Sequence, residues 1–284
     1  MAVVLDSKDL QAIDEEMKVD SKVWGLFGSG HPLSPSDFVG VNEVRVNTMS
    51  GFTADDYKRG QDNARHNIEV GKETRKLTHE RWLGYDLDTL DESENLAYTI
   101  ANIVRLHNKQ VAIPEKDIVA VKALASNAGK VVEETPDTTN SLSLFDQAQK
   151  YMTDSEVVGQ PIMLVSSDYY QALKNNDKVS KSFTVNAVTQ LQGIDRRVAM
   201  LDDTPIVVVP KARFKTADGK DINYILTTTD IGLPVEKFNS VDIIPASTDR
   251  DGYRDTVKGL DYYDFIILDN AKVGIYVSTL KSGA

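Results

Sequence analysis

At 284 residues the chain is long enough to bury a core in one or two domains. Its formal charge of −11 argues against a general nucleic-acid binder, which normally carries a basic face. It has no cysteine, which removes disulfides, thiol nucleophiles and Cys-ligated metals. No apolar run reaches the length needed to span a bilayer. Met1 to Asp6 turns acidic too early for a signal peptide, which favours a cytosolic origin.

Leu10, Ile13 and Met17 outline a short amphipathic segment, followed by Val23-Trp24-Gly25-Leu26-Phe27. Gly28, Gly30, Pro32 and Pro35 then make the chain irregular. This reads as an N-terminal arm anchored by Trp24 and Phe27. Gly28-Ser29-Gly30 is no nucleophile elbow, since neither a buried strand before it nor a helix after it is evident.

Residues 39–46 predict an outgoing strand with Val44 and Val46 on one face. From Val46 to Ile68 almost nothing could form a core, and Asp55-Asp56-Tyr57-Lys58-Arg59 is solvated in character. So long a polar excursion between strands is functional or disordered, and here it reads as an arm, ordered only against a neighbour. A returning strand is expected over 77–87, with Leu77, Leu83, Tyr85 and Leu87 alternating. Asp91-Glu92-Ser93-Glu94 marks a helix start. Leu96, Ile100, Ile103, Val104 and His107 follow at helical spacing to about residue 109.

Pro114 is expected to break that helix. A second helix carries Ile118, Val121, Leu124 and Ala125 on one face, with Gly129 as its C-terminal cap. Residues 130–140 read as a linker. Leu144, Phe145, Ala148, Tyr151 and Met152 predict a third helix, and 161–165 a short buried strand, followed by Ser166-Ser167-Asp168 capping a short helix through Leu173. The apolar run 204–210, bounded by prolines, predicts a fully buried strand. Lys215 to Lys220 is a turn into a strand over 222–228, so that 135–235 forms an α/β block with its own core. Finally, Tyr263, Phe265 and Ile267 alternate on one strand and Val273, Ile275 and Val277 on another, with 269–272 as a hairpin turn.

A search for chemistry finds little. His31, His66, His79 and His107 are scattered without zinc spacing, and His107 lies on an apolar helix face. Asp249-Arg250-Asp251-Gly252 starts like a calcium loop, but Arg254 and Leu260 occupy the required glycine and glutamate positions. Asp202-Asp203 reads as a polar turn. The short basic runs 72–75, 196–197 and 211–215 read as solvated faces. No nucleophile, base and oxyanion donor assemble, so no enzyme, no cofactor and no metal site is expected.

Three stretches in order carry a resemblance. They are Tyr85-Asp86-Leu87-Asp88 through Asp91-Glu92-Ser93 to Val111-Ala112-Ile113-Pro114-Glu115-Lys116-Asp117, then Gly193-Ile194-Asp195-Arg196-Arg197-Val198 with Asp203-Thr204-Pro205-Ile206, then Gly259-Leu260-Asp261-Tyr262-Tyr263-Asp264-Phe265 into 270–276. Over about 40–280 the chain resembles the major capsid proteins of tailed bacteriophages, which share the Hong Kong 97-type fold.

The resemblance implies an α+β capsid fold. Its parts would be an N-terminal arm (1–40), an extended β-hairpin loop (41–90), a peripheral domain with the spine helix (91–134), an axial domain (135–235) and the peripheral domain's C-terminal strands (236–284). It also implies a homo-oligomer of pentamers and hexamers closing an icosahedral shell around double-stranded DNA held without specific binding. The net charge then suits a neutral or acidic inner wall. A virion capsid assembled in the host cytoplasm follows, with no membrane, a portal and possible decoration proteins; because only about 40 residues precede the loop, either a separate scaffolding protein exists or the chain is already mature.

Intersubunit contacts are expected at Lys72, Arg75, Lys76, Arg81, Trp24 and Phe27. The family's founding member joins a lysine to an asparagine between subunits. Lys72, Lys76, Asn239 and Asn270 are not shown by sequence to meet, and that link is not carried over. Two alternatives stand beside this reading, an encapsulin-type shell enclosing cargo enzymes and an unrecognised α/β enzyme.

Overall fold

The computed structural model describes residues 21–28, 38–39, 43–88, 100–178, 184–185, 194–195, 199–248 and 252–281. The chain divides into two compact units, one of residues 32–79 and the other of 1–31 with 80–284. The expected segment around Leu10, the helix start at Asp91, the Arg196-Arg197 pair and the failed calcium loop at 249–251 lie outside the described residues.

The smaller unit is a three-stranded sheet in the order β1 (Phe38–Val39), β2 (Glu43–Ser50) and β3 (Glu69–Lys76). β2 and β3 pair antiparallel from Glu43↔Lys76 to Ser50↔Glu69. The return strand therefore begins earlier than the alternation of Leu77 to Leu87 predicts. Residues 69–76 are mostly polar, so no period marks them, and main-chain pairing alone defines the ribbon. The alternating stretch belongs instead to β4 (His79–Asp88), which pairs with a different partner.

In the larger unit β4 is the edge of a three-stranded sheet in the order β12 (Gly232–Ile244), β13 (Arg254–Ile267), β4. Leu83 is buried against Val104 and Val257 as its alternation requires, whereas Tyr85 is exposed. Above this sheet runs one continuous helical rod. It consists of α1 (Ile100–His107), a widened π-helical turn (Asn108–Ala112) and α2 (Ile113–Ser126).

Pro114 thus does not break the helix. It occupies the first turn of α2, directly after the π turn, where its missing N–H is tolerated. The rod ends at Asn127, not at Gly129. Gly129 serves close approach instead, because a Cβ there would lie 2.7 Å from the Lys272 carbonyl oxygen.

A six-stranded mixed sheet forms the main core. Its order is β5 (Lys130–Glu134), β14 (Tyr276–Leu280), β11 (Ile222–Thr228), β6 (Pro161–Ser166), β10 (Thr204–Val209) and β9 (Met200–Leu201). Leu164, Ile225 and Val277 face α2, Phe214 and Phe265 on one side. Met163, Val165, Tyr224, Leu226 and Tyr276 face α3 (Ser141–Asp154) and α4 (Ser167–Asn175) on the other. Both faces are covered, so the central strands read as continuous apolar runs. Ser166 caps α4 by accepting from the Tyr169 N–H, as the sequence predicts.

Three expectations are corrected here. Residues 130–134 are a parallel partner of β14 and not a linker; an edge strand with alternating half-exposed residues lacks the apolar run that signals burial. β10 is only partly buried, since it lies next to the sheet edge and β9 covers just Thr204 and Pro205. The C-terminal hairpin does not exist. Residues 269–274 form a 3-10 turn that carries the chain from β13 to β14 in another sheet, where β14 joins β11 and β5. Asp202 and Asp203 form the left-handed turn into β10, at φ 42° and 62°, as expected of a polar turn. A further short pair, β7 (Thr184–Val185) with β8 (Ile194–Asp195), lies between α4 and β9.

Candidate assembly surfaces

The β2–β3 ribbon ends in a long tip from Gly51 to Ile68. Every residue from Met49 to Lys72 is exposed. Gly51 leaves β2 at φ 90°, a left-handed conformation that costs glycine nothing. Within the tip, Asn63 Oδ1 accepts the Lys58 N–H at 2.8 Å and His66 Nε2 meets Asp55 Oδ2 at 2.5 Å. These polar contacts shape the tip without giving it a core. Its large apolar side chains face solvent, with Phe52 at 70% and Tyr57 at 77% exposure. Ile68 at the end of the tip, and Met49 and Val70 paired across the strands, are exposed as well. Several large exposed apolar side chains on one segment with no core of its own are what a contact surface carries.

In the larger unit a cleft of 560 Å³ lies between β4, the α1–α2 rod and the β12–β13 sheet. Trp82, Val111 and Leu260 line it and are exposed, while Leu83 and Val104 close its floor. Arg81 and Glu115 bridge its mouth, Nε to Oε1 at 2.5 Å, and this bond raises the guanidinium above its ordinary value. The Tyr85 hydroxyl lies 2.8 Å from His107 Nδ1. Burial lowers the His107 imidazole, with Glu115 opposing. His107 is thus a partnered, half-buried histidine, as its place on the helix predicts.

The N-terminal turn is held by a buried carboxylate. Asp117 is fully buried on α2. Its Oδ1 accepts from Ser21 Oγ at 2.7 Å and from the Val23 and Trp24 N–H groups at 3.0 Å each. Its Oδ2 accepts from the Lys22 N–H and from Arg213 Nη1, both at 3.1 Å. Beyond this turn Trp24 meets Tyr263 edge-on and Phe27 meets Phe265 in the same way. The sequence marks Trp24 and Phe27 as anchors through their size. Asp117 escapes notice because a lone helical aspartate looks like a solvated face.

No protein-family model matches the sequence, and no curated protein matches it. Solved structures do match. The capsid structure of the cyanophage P-SCSP1u superposes with a TM-score of 0.65 at 12% identity, covering 89% of this chain and 92% of that one. The mature capsid of bacteriophage PhiM1 gives 0.64 at 14% identity over 86% and 83%.

The chain has the Hong Kong 97-type capsid fold.

The same fold extends to a virus-like particle from Pyrococcus furiosus, at a TM-score of 0.59 and 10% identity, covering 98% of this chain and 100% of that one. Identities this low mean that a Hong Kong 97-type backbone survives on pattern and packing while its surfaces vary. The surfaces are therefore read from this chain's own residues. Lys72 and Lys76 are exposed on β3 beside the tip, and Arg75, between them, is half-buried and paired with Glu73. Arg81 is engaged by Glu115 within the subunit. Phe27 is buried in the chain's own core and Trp24 is half-buried there. The six expected contact residues thus divide among the ribbon, the cleft and the N-terminal turn. Sequence reasoning missed Phe52, Tyr57 and Trp82, whose large apolar side chains in polar surroundings were the available signal. Among the described residues no three His, Asp or Glu side chains come together as metal ligands. No helix among them is long and apolar enough to cross a membrane.

Proposed function

We propose that this chain is the major capsid protein of a tailed bacteriophage, assembling as pentamers and hexamers into an icosahedral shell around double-stranded DNA. The observation that carries this is an exposed apolar ribbon tip, useless to a monomer, on a fold whose solved examples include phage capsids. Domain roles follow from that reading. Residues 43–76 are the extended loop reaching a neighbouring subunit, the α1–α2 rod and the β12–β13–β4 sheet form the peripheral domain, and the six-stranded sheet with α3 and α4 forms the axial domain. The subunit acts through its surfaces and has no catalytic role on a substrate. Its partners are copies of itself, a separate scaffolding protein, a portal and decoration proteins. Its place is the virion, after assembly in the host cytoplasm.

A heterologous contact repeated around an axis closes into rings, and rings joined by loops tile a shell. Negative-stain microscopy of the purified protein tests this reading. Closed shells or ring capsomers are expected, and nuclease-protected double-stranded DNA in particles from infected cells. A stable monomer that turns over a substrate overturns it. The end-to-end match to the Pyrococcus furiosus particle supports a second reading, an encapsulin-type compartment. Small shells filled with enzyme cargo and free of DNA favour that one.

A further inference from the structure

Lys116 is 2% exposed on α2, and its ammonium nitrogen has three kinds of neighbour. Nζ lies 2.8 Å from Oδ2 of Asp261 on β13 and 3.0 Å from Oε1 of Glu236 on β12. It also lies 4.8 Å from the centre of the Tyr263 ring and 5.9 Å from that of Trp24. One amine is therefore enclosed by two carboxylates under an aromatic roof. As a purely ionic cluster this is poorly balanced, because one ammonium cannot neutralise two carboxylates. The other oxygen of Asp261, Oδ1, is buried with no hydrogen-bond partner, which an ion pair built for stability would avoid.

We propose that Lys116 and Asp261 condense within the folded subunit to form an isopeptide bond, with Glu236 carrying the proton. The bond lies inside one chain, so the inference goes beyond the shell reading and stands whether or not a shell forms. Burial raises the Asp261 carboxyl, with Lys116 pulling the other way. The neighbouring Glu236 carboxylate adds to what disfavours the ionised form of Asp261. Proton transfer across the 2.8 Å contact would leave a neutral amine facing a carboxylic acid.

The amine lone pair attacks Cγ of Asp261. Glu236 takes a proton from nitrogen and returns it to the departing hydroxyl. The N–Cγ bond forms, one C–O bond breaks and a single water leaves, with no change of oxidation state. Glu236 ends as it began. Fixing amine and carboxyl at contact distance supplies an effective molarity of about 10⁵ M or more, which makes condensation feasible without activation. The neutral amide also removes the buried charges.

Intact-mass measurement of the denatured full-length chain is the test. The expected mass is one water less than the sequence requires, and trypsin digestion should yield a branched peptide joining the segment around Lys116 to that around Asp261. Glu236→Gln should fold, by circular dichroism, and keep the full mass, as should Lys116→Arg. A wild-type chain of full sequence mass overturns the proposal and needs no variant. So does a water loss that maps to Asp218-Gly219 or Asp251-Gly252, where succinimide formation would mimic it. Persistence of the branched peptide in Glu236→Gln overturns the role given to Glu236.

Discussion

At the residue scale the two buried charges of α2 do opposite things. Asp117 is saturated, with both oxygens accepting from main chain, hydroxyl and guanidinium. Asp117→Asn keeps the shape but turns one end into a donor, which then faces either two donors on the Oδ2 side or three on the Oδ1 side. A buried donor left unmet costs about 1–3 kcal/mol, and breaking a buried pair about 3–5 kcal/mol. The variant should therefore lose about 2–4 kcal/mol in denaturant unfolding and become cleavable by protease before Phe27. A loss under about 1 kcal/mol would show that water replaces these bonds.

His107 gives a pH signature. Its folded-state affinity for a proton is below the ordinary value because of burial. Below about pH 6.5 the unfolded chain takes up a proton that the folded chain resists, so this increment of stability is present above that pH. It is lost as pH falls towards and through the lowered folded value. The urea midpoint should drop between about pH 7.5 and pH 5.5. His107→Gln should flatten part of that drop, and an identical pH slope in the variant would exclude His107 as its source. The helical face of His107 was legible in the sequence. Its Tyr85 partner was not, because it lies on a strand 22 residues away.

At the element scale, strands and helices were legible where both a period and a buried face existed. Phe145, Ala148 and Met152 mark α3, and 161–165 mark β6, because their side chains fill the core directly. The failures share a physical cause, which is partner choice. β13 and β14 each alternate, yet the chain between them crosses from one sheet to another, and alternation cannot say which edge a strand will meet. β3 carries no period at all, since its ribbon is held by main-chain bonds.

The α1–α2 rod was misread for another reason. Proline predicts a break in the interior of a regular α-helix, and here Pro114 stands instead in the first turn after a widened one. That turn behaves as an inserted residue that sets the rotation of α1. Inserting one alanine after the exposed Gln110 should turn α1 by about 100° relative to α2. Val104 would then leave Leu83 and Val257, which bury it to 1% exposure. The expected cost is about 1.5–3 kcal/mol, the burial of one aliphatic side chain, read as a lowered thermal midpoint with helicity retained. An unchanged midpoint would show that α1 is not rotationally fixed.

At the scale of the whole molecule the question is what the two units are each for. The larger one has a core packed on both faces of its main sheet and is stable by that fact. The smaller one is a ribbon whose tip, from Gly51 to Ile68, buries nothing within the subunit. Ordering that many residues costs conformational entropy of about 1–2 kcal/mol each, which exposed side chains cannot offset. Something outside the subunit has to cover Phe52, Tyr57 and Ile68 if the ribbon is to be stably placed. Among the described strands β3 also ends its sheet, and a sheet edge is an arrangement that invites another chain. Replacing residues 51–68 by Asn-Gly, a dipeptide suited to a tight hairpin, should leave the β2–β3 register intact. The larger unit contributes none of the deleted residues, so circular dichroism and the thermal midpoint should barely change. Shell yield, measured by sedimentation and negative-stain microscopy, should fall at least about tenfold, equivalent to about 1.4 kcal/mol or more of lost contact energy. Phe52→Ser with Tyr57→Ser in the full-length chain separates apolar contact from mere length, and should weaken assembly while keeping the tip. Normal shells from both variants would mean that the ribbon is dispensable and that subunits cohere through the larger unit alone.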